Sequence, residues 1–343
     1  MTLEKDRELD SNGVDVSCLS NSEKKQSSIF LWLRAILNSK SLSKELRDSK
    51  VVLVYLERAL VCTVLASFFL KEKPRIVVNV ESDLKHKYGK YGFFSKIVLS
   101  FFYRFANDVV FKTAGSSKSF FSFLPNVKAA VHIVNNPVLL SEVGGSDKVD
   151  CRMKGFKNIL VAGRLHPTKG VWFSIYLYSE LIKLDRCYKL LIAGDGVERD
   201  SLMMYASSLG LRVGCSAIES MKEVDVLFLG QVSNMADLYQ QSDVFLSNSY
   251  SESFGLTILE SIVNGVPVVV SDFGGVLDEV DSQYIKVLGL TPKNSAGVGD
   301  IDPWLSAIKF YSNTRVSSHC IDSFKAGFSD DKYKLNMGRL LSI

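Results

Sequence analysis

The sequence has few of the residues that build metal centres or covalent cross-links. Its 343 residues include six Cys and four His, and both kinds are scattered along the chain without a Cys-x-x-Cys pair. Neither a zinc site nor a disulfide framework is therefore predicted, and a reducing, cytoplasmic environment is expected. The cysteines stand at positions 18, 62, 151, 187, 215 and 320.

Long uninterrupted apolar runs are also lacking. The longest apolar stretch, 51–70, is interrupted by Glu57 and Arg58, which leaves only 12 residues from 59 to 70. A helix needs about 20 apolar residues to span a bilayer, so this stretch predicts a buried strand followed by a core helix. The polar, acidic start at 1–12 predicts no signal peptide.

One segment lacks acidic residues altogether. The whole chain has 41 Lys or Arg and 37 Asp or Glu, a net charge of +4, whereas residues 20–130 carry 19 basic and 8 acidic residues. Within 84–107 there is no acid, and five bases stand among eight aromatic residues. The bases are Lys85, Lys87, Lys90, Lys96 and Arg104, and the aromatic residues are Tyr88, Tyr91, Phe93, Phe94, Phe101, Phe102, Tyr103 and Phe105.

This basic aromatic segment, 84–107, has two interpretations that remain open at the level of sequence. Basic and aromatic side chains together suit an anionic membrane surface, where cations meet headgroups and rings lie at the interface. The same pattern suits a helix whose rings face the protein core and whose lysines face water. Nucleic acid is not an expected partner, because no recognised binding motif accompanies the charge.

Strands and helices alternate regularly through residues 155–280. Strands are predicted at 158–162, 188–193, 225–229, 243–247 and 266–270, and helices at 170–184, 198–209, 234–241, 256–264 and 276–280. Repeated β-α units of this kind build a parallel sheet, whose ligands bind at the carboxyl ends of the strands. The less regular first half predicts strands at 14–19, 51–55, 76–80 and 109–112, with helices at 27–37, 56–70 and 93–105.

Two glutamates eight positions apart, Glu252 and Glu260, follow the predicted strand 243–247. Ser253–Leu256 predicts a turn that opens a helix, and the first amides of a helix have no intrahelical partners and can bind an anion. We expect one carboxylate to meet a sugar ring and the other to meet a ribose. The plainer alternatives are a helix cap for Glu252 and an ordinary exposed helix position for Glu260.

Two cations flank a second loop at a strand end. The predicted strand 158–162 runs into Gly163 and Arg164, and Lys169 precedes the predicted helix 170–184. A bidentate guanidinium, a lysine and a helix start at one place are what diphosphate binding requires. The alternative is a solvated Arg and Lys beside an ordinary βα turn.

Together with three weaker motifs, these loops resemble the retaining glycosyltransferases of family 4, also known as glycosyl transferases group 1. Their signature is Glu-x7-Glu with Phe-Gly inside it. The weaker motifs are a glycine turn at 194–196, the segment 228–231 and the Asn-Pro-Val bend at 136–138. The five motifs stand in the family's order over roughly residues 100–280. The resemblance implies an α/β chain of the GT-B fold, with two Rossmann-like domains that face a cleft.

The resemblance also implies roles for individual residues. Arg164 and Lys169 would neutralise the leaving diphosphate, Glu252 would hydrogen-bond sugar hydroxyls and Glu260 would bind the ribose. Arg164, Lys169 and Glu252 are the predicted catalytic residues. The predicted donor-binding residues are Gly163, Arg164, Lys169, Gly230, Glu252, Ser253, Phe254, Gly255, Leu256 and Glu260.

The implied reaction moves a sugar from a nucleoside diphosphate to a hydroxyl acceptor with retention, by departure and attack on one face. No metal and no other cofactor is expected, and the one Asp-x-Asp, 300–302, lies beyond the motifs. The expected donor is UDP-linked. The expected acceptor is a lipid-linked glycan of surface polysaccharide such as O-antigen, capsule or lipopolysaccharide, which suits a cytoplasmic protein peripheral to the membrane.

The expected domains are 1–143 on the acceptor side, 150–325 for the nucleotide sugar, and a helix at 326–343 that crosses back to the first domain. The sequence departs from the family at its start, where the first strand and its glycine-rich loop are not found. It also has Val80-Glu81-Ser82-Asp83 where the family has an active-site His. These departures support an alternative, a truncated non-catalytic remnant that binds a nucleotide sugar or a partner. Other enzymes of the same fold, such as phosphorylases, epimerases and synthases, form a further alternative.

Overall fold

A computed structural model of the chain describes most of its residues. The described residues are 39–81, 84, 88, 92–138, 151–152, 154–215, 223–280 and 282–342. The predicted strand 14–19, the predicted helix 27–37 and the polar stretch 141–150 lie outside them. The chain divides into two compact units, the first of residues 1–134 with 337–343 and the second of residues 135–336.

The first unit contains a four-stranded parallel sheet in the order β1-β2-β3-β4. Its strands are β1 Val51–Tyr55, β2 Arg75–Asn79, β3 Asp108–Phe111 and β4 Ala130–Ile133. Its helices are α1 Ser39–Glu45, α2 Glu57–Ser67, α3 Gly92–Tyr103 and α4 Ala114–Phe123. The three strands and two helices predicted between 51 and 112 are therefore confirmed; β1 has the predicted ends, and the ends of the other four differ by one to three residues.

A charged cluster joins the start of β3 to its two neighbouring strands. Asp108 is 4% exposed and receives two hydrogen bonds from Arg75, at 2.7 and 2.8 Å, while Nε2 of His132 lies 2.8 Å from its Oδ1. Burial acts to raise the pKa of Asp108, but the bonds from Arg75 and His132 outweigh it and lower that pKa. Arg75 also donates to the carbonyl of Leu340 at 2.9 Å, which ties the chain's last residues to the first sheet.

The second unit contains a seven-stranded parallel sheet in the order β11-β10-β9-β5-β6-β8-β7. Its strands are β5 Lys157–Ala162, β6 Tyr188–Ala193, β7 Val213–Gly214, β8 Val226–Gly230, β9 Val244–Ser247, β10 Val268–Ser271 and β11 Ile285–Leu288. Its helices are α5 Val171–Leu184, α6 Arg199–Ser208, α7 Met235–Gln240, α8 Leu256–Val263, α9 Asp302–Tyr311 and α10 Ser318–Gly327, and α11 Asp330–Leu341 follows. All five strands predicted between 155 and 280 are confirmed.

Alternate residues of these strands enter two separate apolar layers. Ile159 and Ile192 belong to one buried cluster, whereas their neighbours Leu160 and Leu191 belong to another. Side chains of a strand point alternately to opposite faces, and a parallel sheet is covered by helices on both. Continuous apolar runs such as Leu190–Ala193, which is buried throughout, follow from that architecture.

One predicted helix is wrong. Residues 276–280 do not form an α-helix, and a short 3₁₀ turn at Gly275–Asp278 takes their place. Gly274 and Gly275 both have positive φ, at 74° and 67°, a conformation that cannot continue a right-handed helix. The amide of Val276 donates to the carbonyl of Phe254 at 2.7 Å, which holds this turn against the predicted Phe-Gly motif.

The order of the second sheet reverses direction at β5. From β5 the chain builds outward through β6 to β8 and β7, and it then returns to build β9, β10 and β11 on the other side. Ligands of open α/β sheets bind outside the carboxyl ends of the strands at such a reversal. The loops after β5 and β9, at 163–170 and 248–255, are the two that flank it.

Candidate functional site

The loop after β5 ends in a 3₁₀ turn that places Lys169 beside the loop after β9. The turn, Pro167–Lys169, closes on Gly170, which has φ of 58°. A Cβ on Gly170 would lie 2.2 Å from the carbonyl oxygen of Asn248, so only glycine allows this approach of the two loops. The amide of Tyr250 donates to the carbonyl of Thr168 at 2.9 Å and fixes the same contact.

Lys169 and Glu252 form an ion pair across these two loops. The lysine Nζ donates to Oε1 of Glu252, and Ser249 donates to the same oxygen at 2.7 Å. Their side chains are 24% and 15% exposed, so the pair is sheltered but reachable from solvent. Two residues 83 positions apart, each singled out from sequence, therefore meet at the carboxyl edge of the sheet.

The start of α8 agrees with the predicted anion-binding turn. Gly255 precedes the helix with φ of 98°, and no side chain caps the helix. Within the described residues, the backbone amides of Phe254, Gly255 and Leu256 have no hydrogen-bond acceptor. Glu252 is consequently not the helix cap that the alternative interpretation assumed, and the turn leaves donors available to an anion. Ser253 is exposed at this turn, whereas Phe254 is buried.

Glycines bring the ends of β5, β6 and β8 together. Gly163 donates its amide to Ala193 at 3.0 Å, and Gly194 donates to Gly230 at 2.6 Å. A Cβ on Gly194 would lie 1.9 Å from the carbonyl oxygen of Gly163, which excludes any other residue there. A Cβ on Gly163 itself would lie 3.8 Å from Cε of Lys169, so this bare backbone lines the space beside the lysine.

Arg164 is more exposed than Lys169. It follows Gly163 at the same strand end, its side chain is exposed, and no residue in the described part of the chain forms a hydrogen bond or ion pair with it. The structure thus brings Lys169 into contact with another predicted residue but does not do so for Arg164. The role predicted for Arg164 stays a prediction.

Glu260 lies in the second turn of α8 and is half buried. Its Oε2 accepts a hydrogen bond of 3.1 Å from the hydroxyl of Tyr239, a residue of α7 that is 1% exposed. Burial raises the pKa of Glu260, and the bond from Tyr239 acts in the opposite direction. Glu260 is therefore not an ordinary solvated helix residue, and one oxygen is held while the other carries no hydrogen bond from the described chain.

Sequence analysis missed two polar residues that donate hydrogen bonds to these carboxylates, and a third that is buried in the loop after β9. Ser249 stands only three positions before Glu252, so its hydroxyl could have been suspected from a shared loop. No sequence signal links Tyr239 to Glu260, because they belong to different helices 21 positions apart. Asn248 is 1% exposed; Ser174 donates to its Oδ1 at 2.6 Å, while its Nδ2 has no partner within the described residues.

The carboxyl edge of the first sheet carries an ion pair and a buried amide side chain. Glu81, at the place where the resemblance would put a His, lies 3.3 Å from Nζ of the buried Lys112. Asn79 ends β2 fully buried, and neither of its amide atoms has a hydrogen-bond partner in the described part of the chain. The predicted absence of a His at this place therefore coincides with an ion pair between Glu81 and Lys112.

The described residues contain neither a cluster of metal ligands nor a membrane-spanning helix. No group of three or more His, Cys, Asp or Glu there is arranged to hold a metal ion. No helix there is both long enough and apolar enough to cross a bilayer.

Part of the second unit is similar to a known family of proteins. Residues 152–310 match the sequence model of the family described as glycosyl transferases group 1. An uncharacterised glycosyltransferase of Methanocaldococcus jannaschii is 34% identical over 140 residues, 40% of this chain and 33% of that protein. An N-acetyl-alpha-D-glucosaminyl L-malate synthase of Bacillus anthracis is 34% identical over 115 residues, 33% of this chain and 26% of the enzyme.

An alpha-monoglucosyldiacylglycerol synthase of Streptococcus pneumoniae is 31% identical over 117 residues, 34% of this chain and 24% of that enzyme. The matched segments thus span at most a third of the length of these three relatives.

Solved structures show the fold. The trehalose-phosphate synthase of Burkholderia xenovorans superposes with a TM-score of 0.72 at 14% identity, over 91% of this chain and 78% of that one. HepE of Anabaena, solved with UDP and glucose, superposes with a TM-score of 0.66 at 16% identity, over 89% of this chain and 81% of that one. The predicted GT-B fold is confirmed. Residues 152–310 of this GT-B chain are therefore similar in sequence to the glycosyl transferases group 1 family.

Proposed function

We propose that the protein is a retaining glycosyltransferase that moves a sugar from a nucleoside diphosphate, expected to be UDP, to a hydroxyl acceptor. The observation that carries the proposal is the meeting of Lys169 and Glu252 at the reversal of strand order, beside the uncapped start of α8. A cation and open amides suit a diphosphate, and a carboxylate next to them suits sugar hydroxyls.

In this proposal the protein stabilises charge that develops on the leaving diphosphate. As the bond between the sugar and the diphosphate breaks, negative charge accumulates on the diphosphate oxygens. Lys169, Arg164 and the amides of Phe254–Leu256 would stabilise it, which is the work a metal ion performs in other enzymes. The acceptor hydroxyl would attack the face that the diphosphate leaves and would pass its proton to a diphosphate oxygen, so that configuration is retained.

Glu252 and Glu260 would hold the two sugars of the donor. Glu252 is already paired with Lys169, so an arriving diphosphate would share the lysine while the carboxylate turns toward the transferred sugar. Glu260 would accept hydrogen bonds from the ribose through the oxygen that Tyr239 leaves open. Gly163 and Gly230 would allow the donor to approach the backbone closely.

Similar proteins support the class of donor and of acceptor. HepE was solved with UDP and glucose. The relative in Streptococcus pneumoniae carries the name of a glycolipid synthase. They favour a UDP sugar and an acceptor attached to a lipid, and we propose a lipid-linked glycan of a surface polysaccharide, used by a cytoplasmic enzyme that is peripheral to the membrane.

The proposal is tested by calorimetry on the full chain with UDP and GDP, followed by a screen of nucleotide sugars for thermal stabilisation. A ligand that binds only the folded state raises its stability. We expect UDP to bind and one UDP sugar to stabilise the protein further, with no loss of either effect in EDTA. If neither UDP nor GDP binds at millimolar concentration, the proposal is wrong.

The reaction itself is tested with the stabilising sugar nucleotide and a lipid extract as acceptor. Retention is read from the anomeric coupling of the product by NMR. Binding of UDP sugars without transfer to any acceptor or to water would instead favour the non-catalytic alternative.

A further inference from the structure

Helix α3 exposes large apolar side chains along one side. Phe93, Phe94, Ile97 and Phe101 are 78%, 75%, 51% and 45% exposed. Positions 93, 97 and 101 recur every four residues and so share one face of the helix. The opposite side enters the core through buried residues such as Leu99 and Tyr103. The interpretation that all rings of this segment face the core is therefore wrong for these side chains.

The exposed side of α3 continues onto the end of α2. Phe68 and Phe69, just after that helix, are 51% and 60% exposed. The ring of Phe105 contacts both Phe68 and Phe101, with centroids 5.5 Å apart in each case. We call the resulting patch the phenylalanine surface, and its members are Phe68, Phe69, Phe93, Phe94, Ile97 and Phe101. Monomeric proteins in water rarely expose a contiguous apolar patch of this kind without a use for it.

The charge around this surface is mainly positive. Lys96 and Arg104 are exposed on and just after α3, and Lys71 is exposed after Phe69. Nζ of Lys73 lies 5.4 Å from the centroid of the Phe68 ring. Glu72 is the acid among them, and the sequence from 84 to 107 contains none. Lys85, Lys87 and Lys90 belong to the same segment of sequence, but their side chains lie outside the described residues.

We infer that the phenylalanine surface binds the headgroup region of an anionic lipid bilayer. An apolar helical face flanked by lysine and arginine places rings at the level of the acyl chains while the cations meet anionic headgroups. A protein partner would need acidic groups at fixed positions opposite each cation, whereas anionic lipids diffuse to wherever the cations lie. The inference does not depend on the proposed sugar transfer, because it concerns vesicles without donor or acceptor.

The test is co-sedimentation of the full chain with vesicles of phosphatidylglycerol and phosphatidylcholine, and with vesicles of phosphatidylcholine alone. We expect binding to the anionic vesicles at low salt and weaker binding as salt rises, because charge attraction is screened. The combined variant Phe93→Ser, Phe94→Ser, Ile97→Ser should lower partitioning about a hundredfold or more, since each apolar side chain contributes roughly tenfold when it leaves water.

A second variant tests the charge separately. Lys96→Glu with Arg104→Glu should lower partitioning onto anionic vesicles by at least about tenfold. The matched controls are Phe310→Ser, which removes a ring 66% exposed on α9, and Lys325→Glu, which reverses an exposed charge on α10. Both controls should partition as the wild type does. Circular dichroism and thermal unfolding of every variant confirm that the fold is retained.

Three outcomes would overturn the inference. The first is absence of wild-type binding to anionic vesicles at low salt. The second is an equal loss of binding in the controls and in the two surface variants. The third is a dimer of the wild type in sedimentation velocity that the triple variant abolishes while vesicles bind neither protein, which would assign the surface to a second copy of the chain.

Discussion

Two carboxyl groups, the buried Asp108 of the first unit and the half-buried Glu260 of the second, have different hydrogen-bond partners. Asp108 accepts hydrogen bonds from two of the three guanidinium nitrogens of Arg75 and lies beside His132, and these bonds outweigh burial and lower its pKa. Glu260 has only the neutral hydroxyl of Tyr239, and burial raises its pKa. The difference distinguishes a carboxylate that holds the fold together from one whose environment leaves room for a ligand.

The same distinction helps to interpret the predicted site. A buried carboxyl without a cation is costly to ionise, and folds retain such groups chiefly where they have work to do. Glu252 lies between these two cases. It is paired with a cation, Lys169, but the proposed donor would bind the same lysine. In the proposed function, the donor would supply further partners to these two acidic groups of the second unit.

The largest effect is expected from Asp108→Asn. It leaves Arg75 and His132 without their anion and should lower the free energy of unfolding at pH 7 by about 2 kcal/mol. A lowered pKa means that this stabilisation is present above the ordinary value of 3.8 and is lost as pH falls through the folded value. Urea denaturation at pH 7 and at pH 3 should therefore show a difference that shrinks in acid.

The control for that variant is Asp322→Asn, which changes an exposed carboxylate on α10. An equal loss of stability in both variants, or a loss that persists at pH 3, would mean that the Arg75 and His132 bonds do not stabilise the fold.

The next largest effect is expected on the affinity for UDP when Lys169 or Arg164 is removed. Lys169→Ala should weaken UDP binding roughly tenfold or more, because a charge-assisted bond to the diphosphate is lost. Arg164→Ala is expected to act in the same direction. Calorimetry on the full chain measures it, with Lys183→Ala on an exposed position of α5 as control. Wild-type affinity in both the Lys169 and the Arg164 variant would place the diphosphate elsewhere.

A smaller and more selective effect is expected from Glu260→Gln. The amide still accepts a bond from Tyr239 but loses the charge that a ribose hydroxyl would meet. We expect the affinity for UDP to fall about fivefold, which corresponds to about 1 kcal/mol, while the affinity for inorganic diphosphate stays the same. Tyr239→Phe should produce a weaker form of the same selectivity. If diphosphate binding falls by as much as UDP binding, Glu260 does not contact the nucleoside.

The smallest effect is on the pH dependence of stability. A raised pKa means that the folded state binds the Glu260 proton more tightly than the unfolded chain, so wild-type stability falls as pH rises from the ordinary 4.5 through the raised value. Glu260→Gln has no carboxyl group there to titrate. Between pH 4 and pH 7 it should therefore lose less stability than the wild type does. The control Glu72→Gln changes an exposed carboxylate and should keep the pH profile of the wild type. If the free energy of unfolding follows parallel pH profiles in all three proteins, the raised pKa of Glu260 is contradicted.

Much of the second unit could be predicted because its signals are local. The strand at 188–193 is recognisable as a short, mainly apolar run that ends at a glycine turn, and the structure has it at the same residues. The turn before Leu256 could be predicted from its glycine. The helix predicted at 276–280 failed because two consecutive glycines with positive φ and a bond to Phe254 select a 3₁₀ turn. That bond joins residues 22 positions apart and has no trace in the local pattern.

The sequence by itself determined which residues are chemically able to act and that they stand at strand ends. It also determined the alternating β-α order, because apolar periodicity is a property of neighbouring residues. Only the tertiary structure decided that β5 lies beside β9, which brings Lys169 to Glu252, and that Tyr239 reaches Glu260. It also decided that Phe93 and Phe94 face outward. Pairing and exposure depend on which distant surfaces meet, and that choice minimises the free energy of the whole chain rather than of any segment.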